Sequence, residues 1–541
     1  MFPSLTRAQQ SRVKAHGRVR PVESGETLAE PHQTTNRFFS VISGELSILN
    51  VSDGAEKVVG TLGPGTFTGE LNVLSGRPGL ARIRASADGE LIEIDREQML
   101  SMVQTDSELS DIFLHAFILR RLALIEQGVG DFILVGSSHS LDTLRIKEFL
   151  TRNAHPYTYV DLDRDRDVEE LLDHFQVDVS ELPVTICSSN VVMRNPTNQL
   201  IAECLGFNKG VDQTHVRDVI IVGAGPAGLA AAVYAASEGL DVLVVEADSP
   251  GGQAGASSKI ENYLGFPTGI SGQELAGRSY TQAQKFGAQM LVAEAAKGLI
   301  CDSRPYAIDV DNGNHLLGRS IIIATGAQYR KLPLADLTRF EGAGVYYACT
   351  HIEAQLCRGD EVVVVGGGNS AGQAAVYLAQ NARRVYLLIR DDSLAATMSR
   401  YLIRRIEESP AITLLANTEI KSLDGTDRLE RVEWHNNKTS EAETHNISGL
   451  FSMTGAVPNS GWLNGCVALD DDGFIKTGPD LTKDDLTSAG WPLNRAPYLF
   501  ETSLPGVLAV GDVRARNVKR VASAVGEGSI SVSFVHQILA E

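Results

Sequence analysis

Three glycines, spaced as Gly223-Ala-Gly225-Pro-Ala-Gly228, carry the clearest chemistry in this chain. The first permits a tight turn, the second lets backbone approach a pyrophosphate, and the third lets a helix pack closely on a strand. The apolar run Val219–Val222 precedes them, and an alanine-rich helical pattern follows. A second apolar run, Val242–Val245, then ends at Glu246. This is a strand–turn–helix–strand unit. Its helix N-terminus offers free N–H groups to a pyrophosphate, and Glu246 can accept bonds from ribose hydroxyls. Asp218–Asp248 is therefore expected to hold a dinucleotide. A second glycine turn, Gly366-Gly367-Gly368-Asn369-Ser370-Ala371, follows the apolar run Glu361–Val365 and leads into a helix to about Gln380 and a strand Val385–Ile389. Gly366 and Gly368 suit a pyrophosphate, and Ala371 replaces the third glycine. The position matching Glu246 is Ile389, so the ribose carboxylate of an NAD site is missing. Arg390 could meet a 2′-phosphate, but Asp391 and Asp392 crowd it. NADPH and NADH both stay open, with Arg390 favouring NADPH.

The elements around these turns belong to a chain of 541 residues, long enough for about three domains. Charged residues make up 21% and hydrophobic ones 43%, as in an ordinary globular protein. A net charge of −19 disfavours nucleic-acid or anionic-membrane binding. No apolar run is long enough for a membrane span, and the basic N-terminus has no apolar core of a signal peptide. The six cysteines are widely spaced and include no CxxC pair. That suggests a reducing cytoplasm, packed thiols and no structural metal.

Residues 1–127 read as a β-roll followed by helix. Phe38–Asn50 alternates around an expected turn at Gly44; Leu80–Ala87 and Leu91–Ile94 alternate again; Met99–Glu126 has helical spacing. This stretch resembles the cyclic nucleotide-binding domain family through Thr66-Phe67-Thr68-Gly69-Glu70-Leu71, which looks like its phosphate cassette. The resemblance implies a phosphate-pairing arginine ten or eleven residues after the glycine. Gly79 and Leu80 stand there, and Arg77 and Arg82 are out of register. An unpaired cyclic phosphate would be costly to bury, so a docking or dimerisation module that binds no cyclic nucleotide is expected. Residues 131–212 show strands at Phe132–Val135 and Tyr157–Leu162, helices at Ser140–Arg152 and Val168–Phe175, and a further strand opened by a proline in Leu182-Pro183-Val184-Thr185-Ile186-Cys187. The order resembles the thioredoxin and glutaredoxin fold, which implies a cis Pro183. Its CxxC place holds Ser137-Ser138-His139-Ser140, where Ser140 reads as a helix cap.

From Arg217 the chain resembles low-molecular-weight thioredoxin reductases. The match rests on Gly251-Gly252-Gln253, Ile260-Glu261-Asn262-Tyr263, Ala324-Thr325-Gly326, Gly511-Asp512 and Arg520-Val521-Ala522, in that order. The resemblance implies a multidomain protein with an α/β Rossmann-type two-domain reductase core, preceded by the β-roll and a thioredoxin-fold α/β module. It implies FAD bound by residues 217–330 and 460–541, at Gly223, Gly225, Gly228, Glu246, Gly252, Gln253, Asn262, Ala324, Thr325, Gly326, Gly511, Asp512, Arg520, Val521 and Ala522. It places NAD(P) on residues 346–458, at Gly366, Gly368, Asn369, Ser370, Ala371 and Arg390, with linkers near Gln328–Val345 and Leu450–Pro458. The family's CxxC falls at Cys349 and Ile352, so the cysteine nearest the flavin is gone. Cys349, His351 and Glu353 are the remaining catalytic candidates, and Cys357 is a conceivable partner for Cys349 if Cα atoms approach within about 7 Å. The expected protein is a cytoplasmic, homodimeric FAD-dependent NAD(P)H oxidoreductase with an unidentified electron acceptor. A ferredoxin– or flavodoxin–NADP reductase and a non-catalytic flavoprotein redox sensor are the alternatives.

Overall fold

Two facing glycines give the N-terminal sheet its shape. In the computed structural model Phe38–Asn50 is not broken by a turn: Arg37–Ser52 is one strand, paired antiparallel with the single strand Arg82–Asp95. The register shifts between Val41 and Leu46. Gly44 lies at φ +82°, and a Cβ at Gly89 would sit 2.0 Å from the Ser43 carbonyl oxygen. The glycines thus serve a bulge that bends the pair rather than ending it. Arg18–Val22, Thr27–Ala29 and Ala55–Leu62 complete a five-stranded sheet. The helical pattern after it divides at Asp106 into Arg96–Thr105 and Ser107–Glu126, where the Asp106 carboxylate accepts from the Leu109 N–H. The structure describes residues 3–31, 33, 37–52, 55–69, 73–74, 76–126, 132–137, 140–162, 181–187, 191–209, 211–463 and 465–541. Glu70, Leu71, Ser138, His139 and the expected helix Val168–Phe175 lie outside them.

The middle unit is a four-stranded sheet in the order Thr158–Asp161, Ile133–Gly136, Val184–Cys187, Val191–Arg194. The first pair is parallel and the others antiparallel. Ser140 caps the helix Leu141–Arg152, and the Leu182–Pro183 peptide is cis. Buried Phe149 and Phe207 belong to the same apolar cluster as Val219, Ala231, Met290 and Val292 of the next unit, so the two share one core.

That next unit has a parallel sheet ordered Gln289–Val292, Val242–Glu246, Arg217–Val222, His315–Ile323, Val507–Ala509, with Tyr306–Val310 and Ala296–Ile300 antiparallel beyond His315–Ile323. The strand order reverses at Arg217–Val222, so the turn after it opens at the switch point where ligands bind such sheets. A second parallel sheet runs Val345–Tyr346, Gly449–Ser452, Glu361–Val365, Arg384–Leu388, Ile412–Leu415. Val345 and Leu450 are therefore core strand residues of this unit, not linker. The units are joined by a short antiparallel ribbon, Ala327–Tyr329 with Ala456–Pro458.

The cysteines depart from expectation. Cys187 and Cys204 form a disulfide, as do Cys301 and Cys466, while Cys349 and Cys357 are free and buried. Each pair is assembled by tertiary packing across 17 and 165 residues, which the spacing alone does not reveal. Among the described residues no helix is long and apolar enough to cross a membrane, and no group of three His, Cys, Asp or Glu could hold a metal.

Candidate active site

The Gly223–Gly228 turn closes on itself by backbone contact. A Cβ at Gly223 would meet the Ala324 carbonyl oxygen at 2.4 Å, and one at Gly228 would meet that of Gly223 at 1.8 Å. At Gly225, by contrast, the nearest atom to a Cβ is the Gly252 Cα at 3.9 Å. The turn therefore leaves an open cradle at the N-terminus of the helix Pro226–Ser237, as a pyrophosphate requires. The Gly251 N–H donates to the Ala224 carbonyl at 2.7 Å, tying Gly251-Gly252-Gln253 to the turn. The Glu246 carboxylate accepts from the Ala224 and Asp248 N–H groups at 2.6 and 3.0 Å. Burial nevertheless pushes the Glu246 carboxyl above its ordinary value. A cavity of about 220 Å³ adjoins the cradle, lined among others by Pro226, Gly251, Ala254, Tyr263 and Val521. It brings the turn, the Gly251 segment, the Asn262 loop and the helix Val521–Ala540 together.

Ala324-Thr325-Gly326 lies against the cradle, since the Ala324 N–H donates to the Val222 carbonyl at 2.8 Å. The Thr325 hydroxyl donates to the Asn459 carbonyl, and the Asn459 amide donates back to the Thr325 carbonyl. Gly511 packs on Ala227, and its N–H donates to Glu527 at 2.8 Å. Burial raises the Asp512 carboxyl, with Lys519 opposing the shift. Arg520 precedes the helix that begins at Val521, without a side-chain bond to its N-terminus. The residues singled out for FAD thus converge on one edge of one sheet and fit the group.

The second turn has the same logic. Gly366 lies at φ +143°, its Cβ position 2.5 Å from the Met453 carbonyl oxygen, while Gly368 has open space. Asn369 is the first residue of its helix, and its side chain accepts from the Ser399 N–H at 2.7 Å. Ala371 is buried, and Arg390, Asp391 and Asp392 are exposed at the strand end. Burial pushes the hydroxyl of the ribbon residue Tyr329 above its ordinary pKa, with Ser370 opposing the shift and Asp512 adding to it.

Between the two sites runs the short helix His351–Leu356. The side chains of His351 and Ile352 lie outside the described residues. The Glu353 carboxylate accepts from the Thr350 N–H at 2.7 Å and from its hydroxyl, the capping arrangement of a Thr-x-x-Glu start. Cys349 is paired by backbone bridge to Ser257 across the units. The Ala354 N–H donates to Thr350 and the Cys357 N–H to Glu353, so Cys349 and Cys357 flank this short helix. Both stay as free thiols, so the Cys349–Cys357 pair does not form. Burial raises both thiols, Cys357 to about 12, with Glu353 adding to each shift.

Residues 217–528 match the pyridine nucleotide-disulphide oxidoreductase family model. The chain belongs to that family. Thioredoxin reductases of Rickettsia felis and Bacillus subtilis are 32% and 30% identical over 324 and 332 residues, covering 59% and 61% of this chain and 97% of each relative. Among solved structures, thioredoxin reductases of Lactococcus lactis and T. acidophilum align at TM-scores of 0.53 and 0.54 with 28% and 26% identity, over 60% of this chain and 99% of theirs. The protein is an FAD-dependent, thioredoxin-reductase-like oxidoreductase. Residues 19–106 match the cyclic nucleotide-binding domain model. Neither of these two matched stretches includes the middle unit, and there the structure adds what motif reading missed. Arg152, Asn153 and Asn198 bond to the Asp248–Gly252 segment of the flavoprotein unit. In sequence Arg152 is only a basic residue ending a helix. No local signal marks its role.

Proposed function

We propose that this protein passes electrons from a reduced nicotinamide through FAD to an acceptor without an intervening dithiol. The observation that supports the reading is an open glycine cradle at the switch point of one sheet and a second glycine turn on the other, with Ile352 where a second cysteine would stand and Cys349 and Cys357 both free. Bound FAD would supply the hydride acceptor. Gly223, Gly225, Gly228 and Gly252 would approach its pyrophosphate, Glu246 its ribose, and Asn262, Asp512 and Arg520–Ala522 its ribityl and flavin end. Gly366, Gly368, Asn369 and Ser370 would seat the nicotinamide pyrophosphate, with Arg390 favouring NADPH. Orientation and exclusion of water are what the chain itself contributes.

The units assigned are 1–127, 131–212, 217–330 with 460–541, and 346–458. The middle one is a thioredoxin-type module without the CxxC pair, inferred from its mixed sheet and capped first helix. The β-roll serves docking rather than cyclic-nucleotide binding, because Gly79 and Leu80 cannot pair a phosphate. A homodimer follows the family, and a cytoplasmic location follows the nicotinamide supply, not the cysteine count. Absence of the dithiol also favours a ferredoxin– or flavodoxin–NADP reductase, in which flavin serves the carrier directly.

Anaerobic titration of the holoprotein with NADPH, then NADH, tests the reading. Flavin bleaching within seconds is expected, faster with NADPH. No bleaching over many minutes would leave the sensor reading in its place. Adding thioredoxin, ferredoxin, flavodoxin, a quinone or oxygen to the reduced protein then identifies the acceptor.

A further inference from the structure

We infer that the middle module is a working part of the flavin site, with Arg152 as the positioning residue for the loop that holds the FAD pyrophosphate. The inference rests on the flavin reading above and concerns residues outside the matched family region. Arg152 ends the helix Leu141–Arg152 and is 14% exposed. Its Nη2 donates to the carbonyls of Ser249 and Gly252 at 3.2 and 3.0 Å. Its Nη1 donates to Asp248 at 3.3 Å and to Glu148, one turn back, at 3.4 Å. Next to it the Asn153 amide donates to the buried Ser249 hydroxyl at 3.0 Å, and from a different helix Asn198 donates to Asp248 at 2.7 Å. Three side chains of the middle module therefore grip Asp248, Ser249 and Gly252.

The gripped segment is the one whose position matters. It follows directly from Glu246, whose carboxylate accepts the Asp248 N–H. It continues into Gly251, whose N–H is spent on Ala224, and Gly252, whose Cβ position is 3.0 Å from the Gly225 Cα. Gly251 and Gly252 have φ of +107° and +54°, so this backbone is intrinsically loose and needs outside restraint. A guanidinium meets that need because its donors are spread over a rigid plane that reaches two carbonyls and a carboxylate, whereas an ammonium's three donors radiate from a single atom. Ordering the loop before FAD arrives lowers the entropy that binding must lose.

The test uses the full-length holoprotein. Wild type is first shown to carry FAD; failure there removes the flavin reading itself, independently of the clamp. Release of FAD is then followed by recovery of free-flavin fluorescence after dilution. Arg152→Ala is expected to release FAD about ten- to a hundredfold faster, the loss of one or two charge-assisted bonds. Arg152→Lys should resemble the alanine variant, and millimolar guanidinium should slow release from Arg152→Ala but not from wild type. Hydrogen exchange at 248–254 should rise while Val242–Val245 stays protected. Should Arg152→Ala fail to fold by circular dichroism, Asn198→Ala removes the second grip, with about three- to tenfold faster release expected. Release at the wild-type rate from a folded variant, or no effect of guanidinium, overturns the assignment.

Discussion

A methyl group at position 228 would lie 1.8 Å from the Gly223 carbonyl oxygen and 3.3 Å from the Ala324 side chain. Both neighbours are fixed by the sheet, so the helix must shift and the cradle opens. Gly228→Ala is expected to cost about 1–3 kcal/mol or more and to yield protein largely free of FAD, read from the absorbance ratio and the thermal midpoint. This residue was legible because glycine spacing reports backbone geometry directly. Arg152 was not, because its carbonyl partners lie 97 and 100 residues away. The thiols make a second residue-scale prediction. At pH 8 a thiol held near 12, as Cys357 is, carries about one thiolate in ten thousand. Iodoacetamide should leave Cys349 and Cys357 unmodified in the native protein and label both after unfolding without reductant. Fast native labelling of either would contradict their packing.

At the scale of elements, hydrophobic alternation announced the strands but not their ends. Gly44 carries the composition of a turn, yet Gly89 faces it across the pair and makes a bulge possible. Turn and bulge need the same positive φ, and only the partner strand decides between them. Asp106 inside a helical pattern looks like a solvated charge until its side chain caps the next helix. Glu353, chosen for chemistry, turns out to start one together with Thr350. The linker into the strand Arg217–Val222 was equally silent. There His215 Nδ1 meets Asp212 at 2.9 Å and Nε2 meets Asp241 at 2.7 Å. Hydrogen bonds to Asp241 and then Asp212 raise the imidazole's pKa above its ordinary value. The stabilisation is then complete below the unfolded value of about 6.5 and is lost as pH rises through the folded one. The thermal midpoint of His215→Gln should therefore fall short of wild type at pH 6 and converge on it at high pH. A constant difference across that range would refute the bridge.

For the whole molecule, what joins the units is a matter of which surfaces meet, and no segment encodes that alone. Arg77 shows why. As a loop arginine near a cassette-like turn it is out of register for a phosphate, and nothing nearby in the chain gives it another role. In the fold it is 6% exposed, with its guanidinium carbon 4.0 Å from the Phe207 ring centre and 5.5 Å from that of Tyr280. Those rings belong to the middle unit and the flavoprotein unit, so one side chain on the β-roll touches both. The Gln104 amide adds a bond to the Lys285 carbonyl at 2.9 Å on the same side. A desolvated cation over an aromatic face contributes about 2 kcal/mol, comparable to many whole surface contacts. Arg77→Ala should then loosen the β-roll without touching the cradle. We expect FAD content and nicotinamide-driven bleaching at wild-type levels, and limited proteolysis releasing the N-terminal segment about tenfold faster, since 1.4 kcal/mol is a factor of ten in an opening equilibrium cleaved from the open form. Arg77→Lys, keeping the charge but not the flat stacking surface, should fall between the two. If Arg77→Ala instead lost its flavin at an unchanged proteolysis rate, the residue would act on the site and not on the joint.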